Sequence, residues 1–185
     1  MLTHMEAQMK IVISLLMVLA IAVVPAVAQG KVTKETVPGI TNYAHLETTV
    51  ACAGAITPDS VGQIKQIGFV SIINLREASE QGANVEAESA AAKKAGLNYF
   101  HVPFNGGMPT AAAVDDFLKA ITSKGAEPAF IHCAGGNRAA AMWFVKRALI
   151  DKWSVDKAMA EATELGFANP QLKTFMTDYV KAHQK

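Results

Sequence analysis

The run Phe69-Val70-Ser71-Ile72-Ile73-Asn74-Leu75 constrains the fold more than any other stretch of this chain. It is rich in β-branched residues and almost wholly apolar, without the polar alternation of a half-exposed strand, so it reads as a strand covered on both faces. Such a strand needs helices above and below its sheet, and the flanking sequence supplies them. Thr57 is placed to cap a helix with Pro58 in its first position, Val61, Ile64 and Ile67 on one face, and Gly68 as its stop. An alanine-rich helix over Val85 to Ala95 ends at Gly96, and Leu97 to Val102 makes a short strand. Thr110 caps a helix reaching Lys124, with Val114, Phe117, Leu118 and Ile121 as its buried stripe, and Ala129 to His132 is the last strand. Three helices follow, over Asn137 to Ile150, from Ser154 to Gly166, and from Asn169-Pro170 onward. With a first strand over Thr48 to Ala53, the alternation predicts an α/β fold: a mostly parallel central sheet flanked by helices, in a single domain.

The N-terminus follows a different logic. Lys10 precedes an apolar run from Ile11 to Val24, then Pro25 and Ala26-Val27-Ala28, the layout of a secretory signal peptide cleaved after Ala28. A start at Met9 sets the lysine next to the initiator. A retained membrane anchor is the competing reading, but Pro25 and the small residues suit a cleavage site better. Gln29 follows that site, so a lipidated cysteine is not expected there. Residues 1–28 are therefore expected to be a leader, 29–47 an N-terminal segment and 48–185 the folded domain of a periplasmic or secreted protein, with no stable membrane insertion after cleavage.

Charge narrows the function classes. Seventeen Lys and Arg against sixteen Asp and Glu leave a formal charge of +1, with no basic cluster or arm to follow a nucleic-acid backbone. Trp143 and Trp153 stand near predicted helices and read as core residues before stacking platforms. His45, His101 and His183 show no metal-ligand spacing, so neither a metal nor another cofactor is expected.

Chemistry concentrates at Ile131-His132-Cys133-Ala134-Gly135-Gly136-Asn137-Arg138, where the last strand gives way to a helix. In open α/β sheets, ligands bind beyond the carboxyl ends of the strands, and a glycine-bearing turn into a helix N-terminus suits an oxyanion. At that point Cys133 is favoured as a thiolate nucleophile by the helix dipole and by Arg138. Gly135 and Gly136 allow successive backbone N–H groups to turn toward the anion, so Ala134, Gly135, Gly136 and Asn137 are the expected phosphate-binding residues. Arg138 offers a two-pronged fork to the same oxygens.

These residues resemble the signature of the cysteine-dependent dual-specificity and tyrosine phosphatases. Gly68-Phe69-Val70-Ser71-Ile72-Ile73-Asn74-Leu75-Arg76 and Ala95-Gly96-Leu97-Asn98-Tyr99-Phe100-His101-Val102-Pro103 are similar to two further strand segments of those proteins. The resemblance runs from about Thr48 to Ile150 and is closest to the small bacterial phosphatase-like family also found fused to β-lactamase-like hydrolases. It implies a phosphorylated substrate or other oxyanion, attack by Cys133, stabilisation by Arg138 and the loop amides, and a supporting role for His132 in orienting the loop. The chain departs from the usual pattern in three places. Four residues separate Cys133 from Arg138, one fewer than usual. Ala139 stands where a serine or threonine is usual, and Asn105 where the resemblance implies an aspartate general acid. Glu77, Glu80, Asp115 and Asp116 are the carboxylates that could substitute, each of which reads as a solvated surface charge before it reads as a catalyst.

Two other readings stay open on the sequence. Cys133 to Arg138 is similar to the six-residue loop of rhodanese-type sulfurtransferases, although the Asp-x-Arg and Gly-His-Ile-like segments usual there are missing. A non-catalytic anion-binding module is the other, and a Cys52–Cys133 disulfide in an oxidising compartment belongs with it, provided the two Cα atoms lie within about 7 Å. The export reading has a direct check: the exported protein should begin at Gln29 by N-terminal sequencing, and an intact leader on the mature protein would sink it.

Overall fold

The computed structural model describes residues 30–47 and 49–184. The leader, its cleavage site and Thr48 lie outside them. Six strands form one mixed sheet: β1 (Val32–Val37), β2 (Ile40–Leu46), β3 (Val50–Ala53), β4 (Ser71–Asn74), β5 (Asn98–His101) and β6 (Ala129–His132), in the order β1-β2-β3-β6-β4-β5. From β3 to β5 every pairing is parallel, while β1 pairs with β2, and β2 with β3, in antiparallel fashion. The helices are α1 (Val61–Ile67), α2 (Val85–Ala95), α3 (Ala111–Ile121), α4 (Asn137–Leu149), α5 (Val155–Glu164) and α6 (Pro170–His183).

Every residue of β3, β4 and β6 is buried, as the unbroken apolar runs require of strands covered on both faces. Alternation along the strands divides the core in two. Cys52, Ile73 and Ile131 face a layer built on α3, α4, α5 and α6. Ala51, Ala53, Ile72 and Phe130 face a smaller layer with Val61 and Ile64 of α1 and Ala92 of α2. Helix α4 is buried along most of its length, from Ala139 to Leu149, as expected of a helix apolar on nearly all sides.

The predicted elements appear close to their expected bounds, and two details differ. Thr57 does not cap α1 with its side chain. Its carbonyl instead accepts the Ser60 N–H at 3.0 Å and the Ser60 hydroxyl at 2.8 Å, making the single 3-10 turn Pro58–Ser60 ahead of α1. The segment 29–47, set apart from the domain in the sequence reading, contributes β1 and β2 to the sheet. Its turn is Pro38-Gly39, where Gly39 adopts φ +77°, a conformation glycine takes without steric cost. That dipeptide between two short runs with inward residues such as Val37, Ile40, Tyr43 and Leu46 is a hairpin signal.

A buried polar cluster joins α4 to α5. Glu161 is completely buried and accepts hydrogen bonds from Trp143 Nε1 at 2.7 Å and from Arg147 Nε at 2.7 Å, while the Arg147 guanidinium lies over both Trp143 and Trp153. Glu161→Ala leaves the Trp143 indole N–H without its partner and the Arg147 guanidinium with Asp151 alone, at 3.0 Å from Nη1. It should lower unfolding free energy by about 1–3 kcal/mol in urea titration, and a loss within about 0.5 kcal/mol would show that the Glu161 contacts are dispensable.

Candidate active site

The site stands at the carboxyl ends of β3, β4 and β6. Strand β6 ends at His132, the Cys133 N–H donates to the Ala53 carbonyl at 3.1 Å, and α4 begins four residues after Cys133, at Asn137. Cys133 is buried, and its sulfur accepts the Gly136 N–H at 3.1 Å. Gly136 sits at φ +97° at the mouth of α4, which favours glycine there. The loop carbonyls are drawn outward: that of Ala134 accepts the Ala55 N–H at 2.9 Å and that of Gly135 accepts Asn42 Nδ2 at 3.1 Å. Turning these carbonyls away leaves the peptide N–H groups to face the bowl over the sulfur. The approach of β3 is so close that a Cβ on Gly54 would lie 2.9 Å from the Ala134 oxygen, so a side chain at position 54 would push the loop out of place.

Arg138 is fixed by four acceptors. Its Nη1 donates to Glu80 Oε1 at 2.6 Å, to the Phe104 carbonyl at 2.8 Å and to the Leu75 carbonyl at 3.2 Å, and its Nη2 donates to Glu80 Oε2 at 2.8 Å. A guanidinium has five N–H donors. After these bonds, Nε–H and one Nη2–H remain, side by side, the pair suited to grip two oxygens of one anion. Burial opposes the Arg138 charge, but the Glu80 carboxylate and the neighbouring Cys133 sulfur outweigh it and raise its pKa. Glu80 is held down to about 2, chiefly by its hydrogen bonds from Arg138, against some desolvation. It also accepts the Glu77 N–H at 2.9 Å and Arg76 Nε at 3.3 Å.

Cys133, Ala134, Gly135, Asn137 and Arg138 line a single cleft of about 370 Å³, together with Glu77, Glu80 and the Asn105-Gly106-Gly107 loop. A larger cleft of about 480 Å³ adjoins the same loop at Gly135 and Gly136, between the β1–β2 hairpin and Leu165-Gly166. The smaller one is lined by both Cys133 and Arg138. The Asn137 side chain points to other work, its Oδ1 accepting the N–H groups of Ala168 at 2.7 Å and Asn169 at 3.0 Å, which ties the α5–α6 connection to the loop. His132 is completely buried beneath the sheet, away from the cleft, with Nε2 3.2 Å from Glu88 Oε2.

The four carboxylates considered as proton donors separate clearly. Glu80 is committed to Arg138. Asp115 accepts the Tyr179 hydroxyl and so joins α3 to α6, while its neighbour Asp116 is exposed. Glu77 lines the cleft, half-buried, and its Oε2 accepts Asn105 Nδ2 at 3.1 Å. Asn105 also folds its own loop, its Oδ1 accepting the Gly107 and Met108 N–H groups at 2.9 and 3.1 Å. Both cysteines are free thiols in this structure. Cys52 is fully enclosed, and burial, aided by Cys133 and Glu161, pushes its thiol pKa up. The roles of Glu80 in holding Arg138 and of Asn42 in holding the loop are not evident from the sequence, because they act across 58 and 93 residues of chain.

Residues 42–150 match the family model described as the beta-lactamase hydrolase-like protein, phosphatase-like domain. The chain belongs to that family. Among curated relatives, the beta-lactamase hydrolase-like protein of Xylella fastidiosa is 34% identical over 122 residues, covering 64% of this chain and 28% of the relative. That of Agrobacterium fabrum is 40% identical over 88 residues, covering 44% of this chain and 19% of the relative. The matched part thus spans 28% of the first of these longer proteins and 19% of the second. Solved structures share the fold. A DUF442 protein from Shewanella putrefaciens CN-32 superposes with a TM-score of 0.66 at 19% identity, over 80% of this chain and 94% of that one. Tk-PTP in its active form gives 0.64 at 17% identity, over 80% and 100%. Pseudomonas aeruginosa TpbA, as a cysteine-to-serine variant in complex with phosphotyrosine, gives 0.59 at 16% identity, over 82% and 90%. Between the phosphatase-like and rhodanese-like readings of the loop, the family match decides for the first.

Glu80→Gln should test the clamp on Arg138. Removing one charged hydrogen-bond partner weakens an interaction of about 1.5–3 kcal/mol, so tungstate affinity measured by calorimetry should fall roughly 10- to 100-fold. The wild-type clamp is a depressed-carboxylate case: its contribution is fully present above the ordinary Glu value and is lost only as pH falls through about 2. Unchanged tungstate affinity in the variant would remove Glu80 from the site.

Proposed function

We propose that the protein is an exported cysteine-dependent phosphatase that hydrolyses phosphomonoesters through a cysteinyl-phosphate on Cys133. The observation that carries this reading is the placement of the Cys133 sulfur and the two remaining Arg138 donors in one cleft, under a loop whose carbonyls are turned outward. Loop N–H groups and Arg138 take up the three non-bridging oxygens as negative charge builds on them. The Cys133 thiolate attacks phosphorus in line, a sulfur–phosphorus bond forms, and the bond to the bridging oxygen breaks. Water then attacks phosphorus, and the thiolate leaves.

Both steps move a proton: one to the departing oxygen, one from the attacking water. Glu77 is the cleft carboxylate not bound to an arginine, and it takes this role, with Asn105 holding its Oε2. Ala139 is completely buried and offers no hydroxyl to the departing sulfur, so the second step depends on the Gly136 N–H to Cys133 contact. The phosphatase-like fold and the oxyanion-shaped loop favour this reading over persulfide chemistry. The leader carries the export proposal, which places the protein in the periplasm or outside the cell. The substrate is a phosphorylated molecule small enough, or exposed enough, to enter a cleft of about 370 Å³.

The test compares the reduced mature protein with Cys133→Ser on p-nitrophenyl phosphate, alongside thiosulfate-to-cyanide sulfur transfer. Phosphate release confined to the parent supports the proposal. Thiocyanate without phosphate release would replace it with sulfur transfer, and silence in both assays would leave an anion-binding module.

A further inference from the structure

The cleft over Cys133 has a larger neighbour, and the ridge between them is bare backbone. The neighbour is the cleft of about 480 Å³ between the β1–β2 hairpin and Leu165-Gly166, and Gly135 lines both. The φ of Gly135 lies outside the left-handed range, unlike that of Gly136, and a Cβ there would meet no atom within 4 Å beyond its chain neighbours. Neither backbone conformation nor packing within the chain calls for glycine at this position, although an ordered glycine carries an entropic cost. Close approach of a ligand to the backbone is the physical reason left for omitting a side chain where the two clefts meet.

The larger cleft presents charge of one sign. In the antiparallel pairing of β1 and β2, Lys34 stands opposite Ala44 and Glu35 opposite Tyr43. Ala44 belongs to the layer of α3 to α6 and Tyr43 to the smaller layer. Alternation therefore sends the Lys34 side chain to the cleft and the Glu35 carboxylate to the other face, where its Oε1 lies 3.3 Å from His45 Nε2. Lys34 is exposed and forms no ion pair among the described residues. Below it, Ala44 and Leu165 are buried and give the cleft an apolar floor. The wall toward the anion loop is shaped by a bulge: from Glu35–Tyr43 to Val37–Ile40, β1 advances two residues and β2 three, and Asn42 takes φ +47° there. Bulges re-aim side chains next to functional sites, and this one turns the Asn42 amide onto the Gly135 carbonyl. The smaller cleft, by contrast, carries the Glu77 carboxylate. A second negative charge on a ligand is thus repelled by Glu77 and drawn over Gly135 toward Lys34.

We propose that the larger cleft is a second substrate subsite: with the phosphoryl group over Cys133, the leaving group crosses Gly135 and sets a further anionic group against the Lys34 ammonium. The substrate class is a phosphate ester whose leaving group carries a second phosphate or a carboxylate. This deepens the phosphatase reading and rests on it. Lys34 stands at an exposed rim, so its contact selects among substrates more than it adds to affinity, and salt screens it.

Alkane-α,ω-bisphosphonates, which are not hydrolysed, read the second contact without turnover. Their affinities are compared by calorimetry with those of alkylphosphonates of equal chain length, in the parent and in Lys34→Gln. In the parent the bisphosphonate should bind roughly 5-fold more tightly, beyond the statistical gain from its two equivalent ends, once the spacer is long enough to cross Gly135 and not before. Lys34→Gln should abolish that advantage and leave monophosphonate affinity unchanged, while Lys34→Arg should keep it. ω-Carboxyalkylphosphonates in the same series tell whether a carboxylate serves as well as a phosphate. Equal affinities along the whole spacer series in the parent, or an advantage that survives in Lys34→Gln, overturns the proposal. If the parent releases no phosphate from p-nitrophenyl phosphate while the spacer-dependent advantage stands, the phosphatase reading falls and Lys34 remains the second contact of an anion-binding cleft.

Discussion

The position of β6 is the constraint on which the site depends. It is the central strand, paired in parallel with β3 on one side and β4 on the other, and its last residue hands the chain to a helix buried nearly throughout. A strand fixed on both edges and both faces leaves the following turn little freedom. Cys133 is therefore set at the floor of a cleft by backbone pairing, before any side chain near it makes a contact. The neighbouring strands then finish the turn from outside. Ala53 and Ala55 on the β3 side hold the Cys133 N–H and the Ala134 carbonyl, and Asn42 from the hairpin holds Gly135.

Charge is arranged around that turn in two tiers. In the cleft, Glu80 occupies one side of the Arg138 guanidinium and leaves the other side open, so a strong ion pair orients the arginine without consuming it. A cation buried to this extent needs such a partner to be held in one geometry. Beneath the sheet, Glu88 faces His132 in a compartment closed to water. Neither carboxylate reaches the other's compartment, because residues at successive positions of a strand point to opposite faces. One strand end thus carries two electrostatic environments, with Cys133 on one face and His132 on the other.

Much of this is legible in the chain, for identifiable reasons. Strands β4 and β6 announce themselves because a strand buried on both faces must be apolar along its length. Helices α3, α5 and α6 carry local start signals: the side chains of Thr110, Ser154 and Asn169 accept N–H groups of Ala113, Lys157 and Leu172. The loop from Cys133 to Arg138 is contiguous, so its residues are adjacent in any fold. The hairpin of β1 and β2 is harder to read although its Pro38-Gly39 turn signal is present, since strands of mixed polarity at a sheet edge carry a weaker pattern than buried ones. Thr57 has the right residue type for a cap, but the tighter 3-10 turn engages its backbone carbonyl instead.

Local periodicity and covalent neighbourhood were enough to set the strand and helix pattern and to bring Cys133, its two glycines and Arg138 together. What each carboxylate does came from the folded arrangement alone. Glu77, Glu80, Asp115 and Asp116 are equivalent as letters, yet one lines the cleft, one holds the arginine, one ties two helices together and one meets solvent. Glu88, to all appearance part of an ordinary alanine-rich helix, is the sealed partner of His132. A charge takes its meaning from what replaces water around it, and that depends on contacts across the sheet that no local pattern records.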